Sequence, residues 1–134
     1  MHTLAHRWPV LIALVLAGLT FADGQPAPEL LAGVLAAMPL FYLFFGTLRG
    51  ELRRLGALGI QLAALAGFAA IALAAELVNG RFTLLVLAAG WLGHALWDAV
   101  HYHKAEVVPR AWSQWCGVFD ACGALALLLA ASTG

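Results

Sequence analysis

Three side chains able to ligate metals or carry protons recur in one short stretch, His94, Asp98 and His101. Their spacing of i, i+4 and i+7 puts them on one face of a helix. A second stripe, Trp112, Cys116 and Asp120, repeats at i, i+4 and i+8 a short connection later. Neutral imidazole with carboxylate suits Zn²⁺ or non-haem iron, and three facing ligands leave a position open for water. His94, Asp98 and His101 form the first candidate set, and Asp120 closes it from the facing stripe. A metal-bound water can be deprotonated near neutral pH and attack a carbonyl, or iron can activate oxygen. Tyr42 and Cys116 are the candidate catalytic assistants, on a lipid or other apolar substrate. His103 falls on the opposite side of the helix from His94 and is expected in the connection that follows.

The same residues admit two other readings. In the first, His94–Asp120 is an interhelical hydrogen bond that fixes helix register, and Asp98 pairs with Arg110 or Lys104. The protein is then a small accessory or structural component. In the second, His94 is the axial ligand of a tetrapyrrole or other pigment. Gly90, one turn before it, and Gly93, beside it, would leave room for the macrocycle, flanked by Trp91 and Trp97. Close helix packing explains the same glycines.

Composition says what solvent these residues meet. Of 134 residues 63% are apolar, and only seven Lys or Arg and seven Asp or Glu are present. Mean hydropathy is +0.91. A soluble domain carries about 25% charged residues, and a small chain cannot hide such an apolar excess within one core. The excess must face lipid. Soluble enzymes, secreted disulfide scaffolds and disordered tails are excluded. With no net charge, nucleic-acid binding lacks its basic footprint.

The elements that position the candidates are therefore membrane helices. Five apolar runs approach the length of about 20 residues that a span requires: Trp8–Ala22, Leu30–Leu48, Leu55–Val78, Phe82–His101 and Trp112–Ala131. Asp23-Gly24-Gln25-Pro26-Ala27-Pro28 and Asn79-Gly80 break them with turn chemistry. The charged segment Arg49–Arg54 and the segment Val107–Arg110 supply the other two breaks. The alternation of a β-barrel is absent, so the runs are helices. The expected fold is all-α: a polytopic membrane bundle of five transmembrane helices in a single domain, 1–134. The first run also resembles the hydrophobic region of a signal peptide ending near Thr20-Phe21-Ala22; its removal would leave four. Pro39 is expected to kink the second helix. Gly46-x3-Gly50 and the small residues Ala63, Gly67 and Ala70 suggest close packing or contact with a membrane-protein partner or a second copy.

Basic residues set the orientation. Arg7, Arg49, Arg53, Arg54, Lys104 and Arg110 fall on one side and only Arg81 on the other. The positive-inside rule then places the N-terminus in and the C-terminus out, in a multi-pass protein of the inner, or plasma, membrane. Lipid binding by Arg49–Arg54 is a secondary reading. Glu76 is expected to pair with Arg81. Cys116 and Cys122, six residues apart, lie about 120° around one helix and cannot bridge there.

Depth follows from register. An antiparallel hairpin folded about Val107 pairs His94 with Asp120, Asp98 with Cys116, and His101 with the neighbourhood of Ser113. At about 1.5 Å per residue, His94 and Asp120 lie roughly 12–14 Å below the surface. Tyr42 and Gln61 are each six residues inside their own helices, about 9 Å deep. A polar layer thus forms in the basic half of the bundle from Tyr42, Gln61, His94, Asp98, His101, Cys116 and Asp120. The other half offers only Glu76 and Thr83, near its boundary.

The pattern Gly-Trp-x2-His-x3-Asp-x2-His-x-His at 90–103, followed by Val-Pro-Arg-x-Trp-x3-Cys-x3-Asp at 108–120, resembles small bacterial integral-membrane proteins of unassigned activity. It covers about a quarter of the chain. The resemblance implies a bacterial membrane protein and carries no activity with it. The histidine cluster is also similar to the boxes of membrane di-iron hydroxylases and desaturases, which use more histidines than the five present here. Zinc-dependent membrane hydrolases of the ceramidase and adiponectin-receptor group likewise combine His and Asp within helices. They have more spans, and their full motif set is not matched.

Overall fold

The computed structural model describes residues 6–134. Five α-helices follow one another: α1 (Trp8–Phe21), α2 (Pro28–Leu48), α3 (Ala57–Leu77), α4 (Arg81–Lys104) and α5 (Arg110–Thr133). A 3₁₀ turn, Glu51–Arg53, joins α2 to α3. No strand occurs among the described residues. The all-helical expectation therefore holds. The helices α2 to α5 are each long and apolar enough to cross a membrane. With 14 residues, α1 falls short of the roughly 20 a span needs, so the length criterion gives four spanning helices where the sequence pattern suggests five.

Helix ends follow local chemistry. Pro9 in the first turn of α1 and Pro28 at the start of α2 occupy positions where a missing N–H costs nothing. Pro39 sits buried inside α2, which continues through it. The fourth helix runs further than its apolar pattern suggests. His103 and Lys104 form its last turn, so His103 is helical rather than part of the connection. Basic side chains in that turn suit the helix C-terminus.

The helices are arranged around α4, which packs against α5, α3 and α2, while α2 also packs on α3 and α1 lies on α5. Two apolar clusters bracket the bundle. One combines Leu31, Leu35, Ala75, Leu87, Trp91 and Leu127 in the half away from the basic loops. The other, beneath those loops, is built on Tyr42, Val107 and Val108, with Phe45, Leu52, Trp97 and Trp112 against them. Buried polar residues lie between. Outward-facing positions such as Leu30, Leu62, Leu73, Leu96 and Leu125 are exposed and apolar, as surfaces facing hydrocarbon must be.

Small residues set how closely the helices approach. A Cβ on Gly123 would lie 2.5 Å from the Trp91 ring, and one on Gly90 would lie 2.5 Å from Leu35 and 2.9 Å from Ile71. Gly46 is closed by Leu52 and Val107 of the same chain. By contrast Ala63, Gly67 and Ala70 face outward on α3.

The two basic connections meet. Arg54 reaches Glu106 at 3.3 Å, and the Val107 N–H donates to Glu51 Oε2 at 2.6 Å. Val107 has φ +68°, a costly conformation for a β-branched residue. It persists because its amide is held by Glu51 and its side chain is buried against Tyr42 and Gly46. That amide hydrogen bond, reinforced by Arg49 and Arg54, holds the Glu51 carboxyl below its usual range. Arg54 does the same to Glu106. At the other end Glu76 makes no ion pair with Arg81 among the described residues, contrary to expectation; both side chains sit at the exposed rim of the fold, where such pairs contribute little.

Two outcomes follow for unfolding in detergent. Gly123→Ala forces Trp91 to move and is expected to destabilise by about 1–3 kcal/mol. Gly67→Ala, with open space around it, leaves the midpoint unchanged or raises it. A carboxyl with a depressed folded pKa stabilises fully above its ordinary value and loses that contribution as pH falls through the folded value. The unfolding midpoint should therefore hold from neutral pH to about pH 5 and drop below the ordinary carboxylate range of about 4. Glu51→Gln should lower the plateau and flatten the acid drop; parallel profiles for the two proteins would contradict the clamp.

Candidate metal centre in the bundle interior

A helix that commits its own backbone hydrogen bonds can carry a polar side chain inward only where another helix answers it. His94 lies on the buried stripe of α4 with Leu87, Trp91 and Asp98, and Asp120 on the buried stripe of α5 with Ser113 and Leu127. The two meet at the same level: His94 Nδ1 donates to Asp120 Oδ2 at 2.8 Å. Asp98, one turn along α4, places its Oδ2 3.3 Å from the same nitrogen. Its other oxygen accepts a hydrogen bond from the Tyr42 hydroxyl of α2. All three residues are buried, His94 at 1% exposure, Asp98 at 0% and Asp120 at 1%.

One ligand atom from each of His94, Asp98 and Asp120 fits within a 4.8 Å group. Donors about 2 Å from a tetrahedral ion lie about 3.3 Å from one another, so the separations of 2.8 and 3.3 Å need only small adjustment to enclose one. Charge points the same way. Two carboxylates face one imidazole, and no Lys or Arg pairs with either acid among the described residues. A buried group of this kind requires a proton or a cation to neutralise it. Asp98 does not pair with Arg110 or Lys104. Arg110 instead donates to the Tyr102 carbonyl and lies over the Tyr102 ring.

His101 is not part of this group. It shares the stripe of His94, but seven residues displace it about 10 Å along the helix, a full layer away. Its Nδ1 donates to the Trp97 carbonyl at 2.9 Å, which leaves Nε2 to accept from Gln61 Nε2 at 3.1 Å. Its ring stands edge-on to Tyr42, with centroids 4.8 Å apart. The polar layer therefore has three levels: Gln61–His101 nearest the basic loops, Tyr42–Asp98 next, and His94–Asp120 deepest. Cys116 is half-buried, with no disulfide to Cys122.

An apolar cavity of about 220 Å³ leads to this centre between α2 and α5. Val34, Met38, Phe41, Trp115 and Phe119 wall it, and His94, Cys116 and Asp120 also line it. The cavity exists because α2 and α5 meet mainly through rings at one end, Trp112 against Phe41 and Phe45 at 5.1 and 4.9 Å. The space beside Gly90 that a tetrapyrrole would need is filled by Leu35 and Ile71. Trp91 is committed to Gly123 and to a hydrogen bond with the Leu31 carbonyl. The glycines thus serve helix packing, which removes the spatial support for a macrocycle on His94.

Sequence spacing missed one neighbour of the centre and one support of the loops above it. Phe68 of α3 covers the His94 ring with centroids 4.9 Å apart, and its position seven residues after Gln61 was the available signal. Glu51 acts from outside the bundle through Val107, which no local pattern announces. The chain matches no protein-family profile, no curated protein and no solved structure.

His94, Asp98 and Asp120 are expected to behave as one unit. Removing one partner of a buried charged group costs about 3–5 kcal/mol. His94→Ala and Asp120→Ala should each lower stability by an amount in that range, with a double variant short of the sum by about 0.5–3 kcal/mol. Additive losses in a double-mutant cycle would show that the pair is not coupled.

Proposed function

We propose that this is a multi-pass membrane protein whose His94–Asp98–Asp120 centre binds a divalent transition cation, Zn²⁺ or Fe²⁺, and presents it to an apolar substrate held in the α2–α5 cavity. The observation that carries the reading is the convergence of three buried ligating groups, short of positive charge, at one end of an apolar cavity. Imidazole with two carboxylates is the donor set expected for zinc or non-haem iron. The bound ion would supply Lewis acidity or an activated water.

This chain's own residues do the rest. Tyr42 orients Asp98 through its hydroxyl, as the outer partners of metal ligands commonly do. Phe68 packs on the His94 ring and keeps water from that side. Cys116 lines the cavity and is the residue best placed to assist there. Six of the seven basic residues gather at one end of the bundle: Arg7 before α1, Arg49, Arg53 and Arg54 between α2 and α3, and Lys104 and Arg110 at the facing ends of α4 and α5. The positive-inside rule puts those connections and the N-terminus on the cytoplasmic side of the plasma membrane.

A second reading has its own support. The His94–Asp120 hydrogen bond by itself ties α4 to α5 and would fix their register in an accessory protein. Metal content separates the two. Protein purified in mild detergent without chelator should carry about one equivalent of Zn or Fe. Asp98→Ala and Asp120→Ala should each lose it. Content below about one-tenth of an equivalent in the unaltered protein would overturn the metal reading and leave the register pin.

A further inference from the structure

A second cavity lies on the other side of α4, between it and the start of α3 at the basic end of the bundle. It measures about 410 Å³ and is bounded by Arg54, Ile60, Gln61, Trp97, Val100 and Lys104, among others. Two of these residues hold buried polar atoms that nothing in the protein satisfies. Gln61 is 2% exposed; its Nε2 is committed to His101, and its Oε1 has no partner. Trp97 Nε1 is a buried donor without an acceptor. Native interiors seldom leave such atoms unpaired unless a ligand or water meets them. At the mouth, Arg54 is held by Glu51 and Glu106, whereas Lys104 forms no ion pair among the described residues. Ile60 and Val100 are exposed and apolar on the cavity walls.

These features ask for one kind of molecule. An anionic group answers Lys104 at the boundary. A hydroxyl further inward donates to Gln61 Oε1, and a carbonyl accepts from Trp97 Nε1. An alkyl chain continues along Ile60 and Val100 toward lipid. We infer that the cleft binds a phosphate ester bearing a free hydroxyl on its apolar side, that is, a monoacyl glycerophosphate. Basic pockets between helices at the cytoplasmic boundary are suited to phosphorylated headgroups. A diacyl glycerophosphate has no hydroxyl at that position and leaves Gln61 Oε1 unpaired. The inference does not depend on a metal at His94, since the two cavities open on different sides of α4.

The test is native mass spectrometry of delipidated, detergent-solubilised protein titrated with oleoyl glycerophosphate, its dioleoyl counterpart and glycerol 3-phosphate. The monoacyl ester should bind about tenfold more tightly than the diacyl form, the effect of satisfying one buried acceptor. Lys104→Glu should weaken both lipids about fivefold or more. Val100→Trp, which fills an exposed cleft wall, should abolish binding. Both variants lie at exposed positions, and unchanged unfolding midpoints would establish that they fold. Equal affinity for the two lipids, or unaltered binding by folded Lys104→Glu and Val100→Trp, would overturn the assignment. Glycerol 3-phosphate binding as tightly as the monoacyl lipid would make the ligand a soluble phosphate ester and overturn the lipid source.

Discussion

His94 Nδ1 stands between two buried carboxylates, Asp120 at 2.8 Å and Asp98 at 3.3 Å, and much of the bundle can be understood from that contact. Acids in the interior of a membrane-sized bundle are tolerable only when answered by partners. Meeting this requirement fixes the level of α4 against α5, because a shift of one residue would separate His94 from Asp120. It recruits α2 as well, through the Tyr42 hydroxyl on Asp98, and so ties three of the four long helices together within adjacent levels. The glycines then follow. Gly123 must be small so that Trp91 can enter one turn from His94, and Gly90 must be small so that Leu35 and Ile71 can close over it.

The polar layer is supported from the loop side by a device of different chemistry. Glu51 holds the amide of a left-handed Val107, and Arg54 joins Glu51 to Glu106. The two basic connections become one unit over the Tyr42 cluster. Arg49 and Arg54 close the basic end of the bundle through Glu51 and Glu106, while Lys104, at the mouth of the α3–α4 cleft, forms no ion pair among the described residues. Loop stability and the character of the cleft share a few side chains because so few charges are present.

Apolar packing explains why the two cavities differ. Between α2 and α5 the contacts are aromatic rings of unequal reach, so the space they leave is apolar and ends at His94 and Asp120. Between α3 and α4 the cleft lies near the loops, where Gln61 and His101 pair, and the space is bordered by polar atoms. One cavity is suited to an apolar chain near a candidate metal centre, the other to a charged headgroup near the boundary.

The sequence by itself determined the helical class, because long apolar runs without the alternation of a barrel leave helices as the way to satisfy backbone amides in lipid. It also determined the level at which His94 meets Asp120, since helical rise and a short connection fix the register of an antiparallel pair. Tyr42, Gln61, Asp98 and His101 were legible as one layer for the same reason. What only the tertiary structure decided was rotation and partner choice. Spacing could place His101 on the stripe of His94, but only packing gave it to Gln61 and left it out of the His94–Asp98–Asp120 group. Spacing could suggest open faces at Gly90 and Gly93, but Leu35 and Ile71 come from other helices and fill the first. The tie between Glu51 and Val107, 56 residues apart, likewise depends on neighbours brought together by folding. Local spacing encodes depth and face; which helix stands opposite is settled by how the side chains of all of them pack.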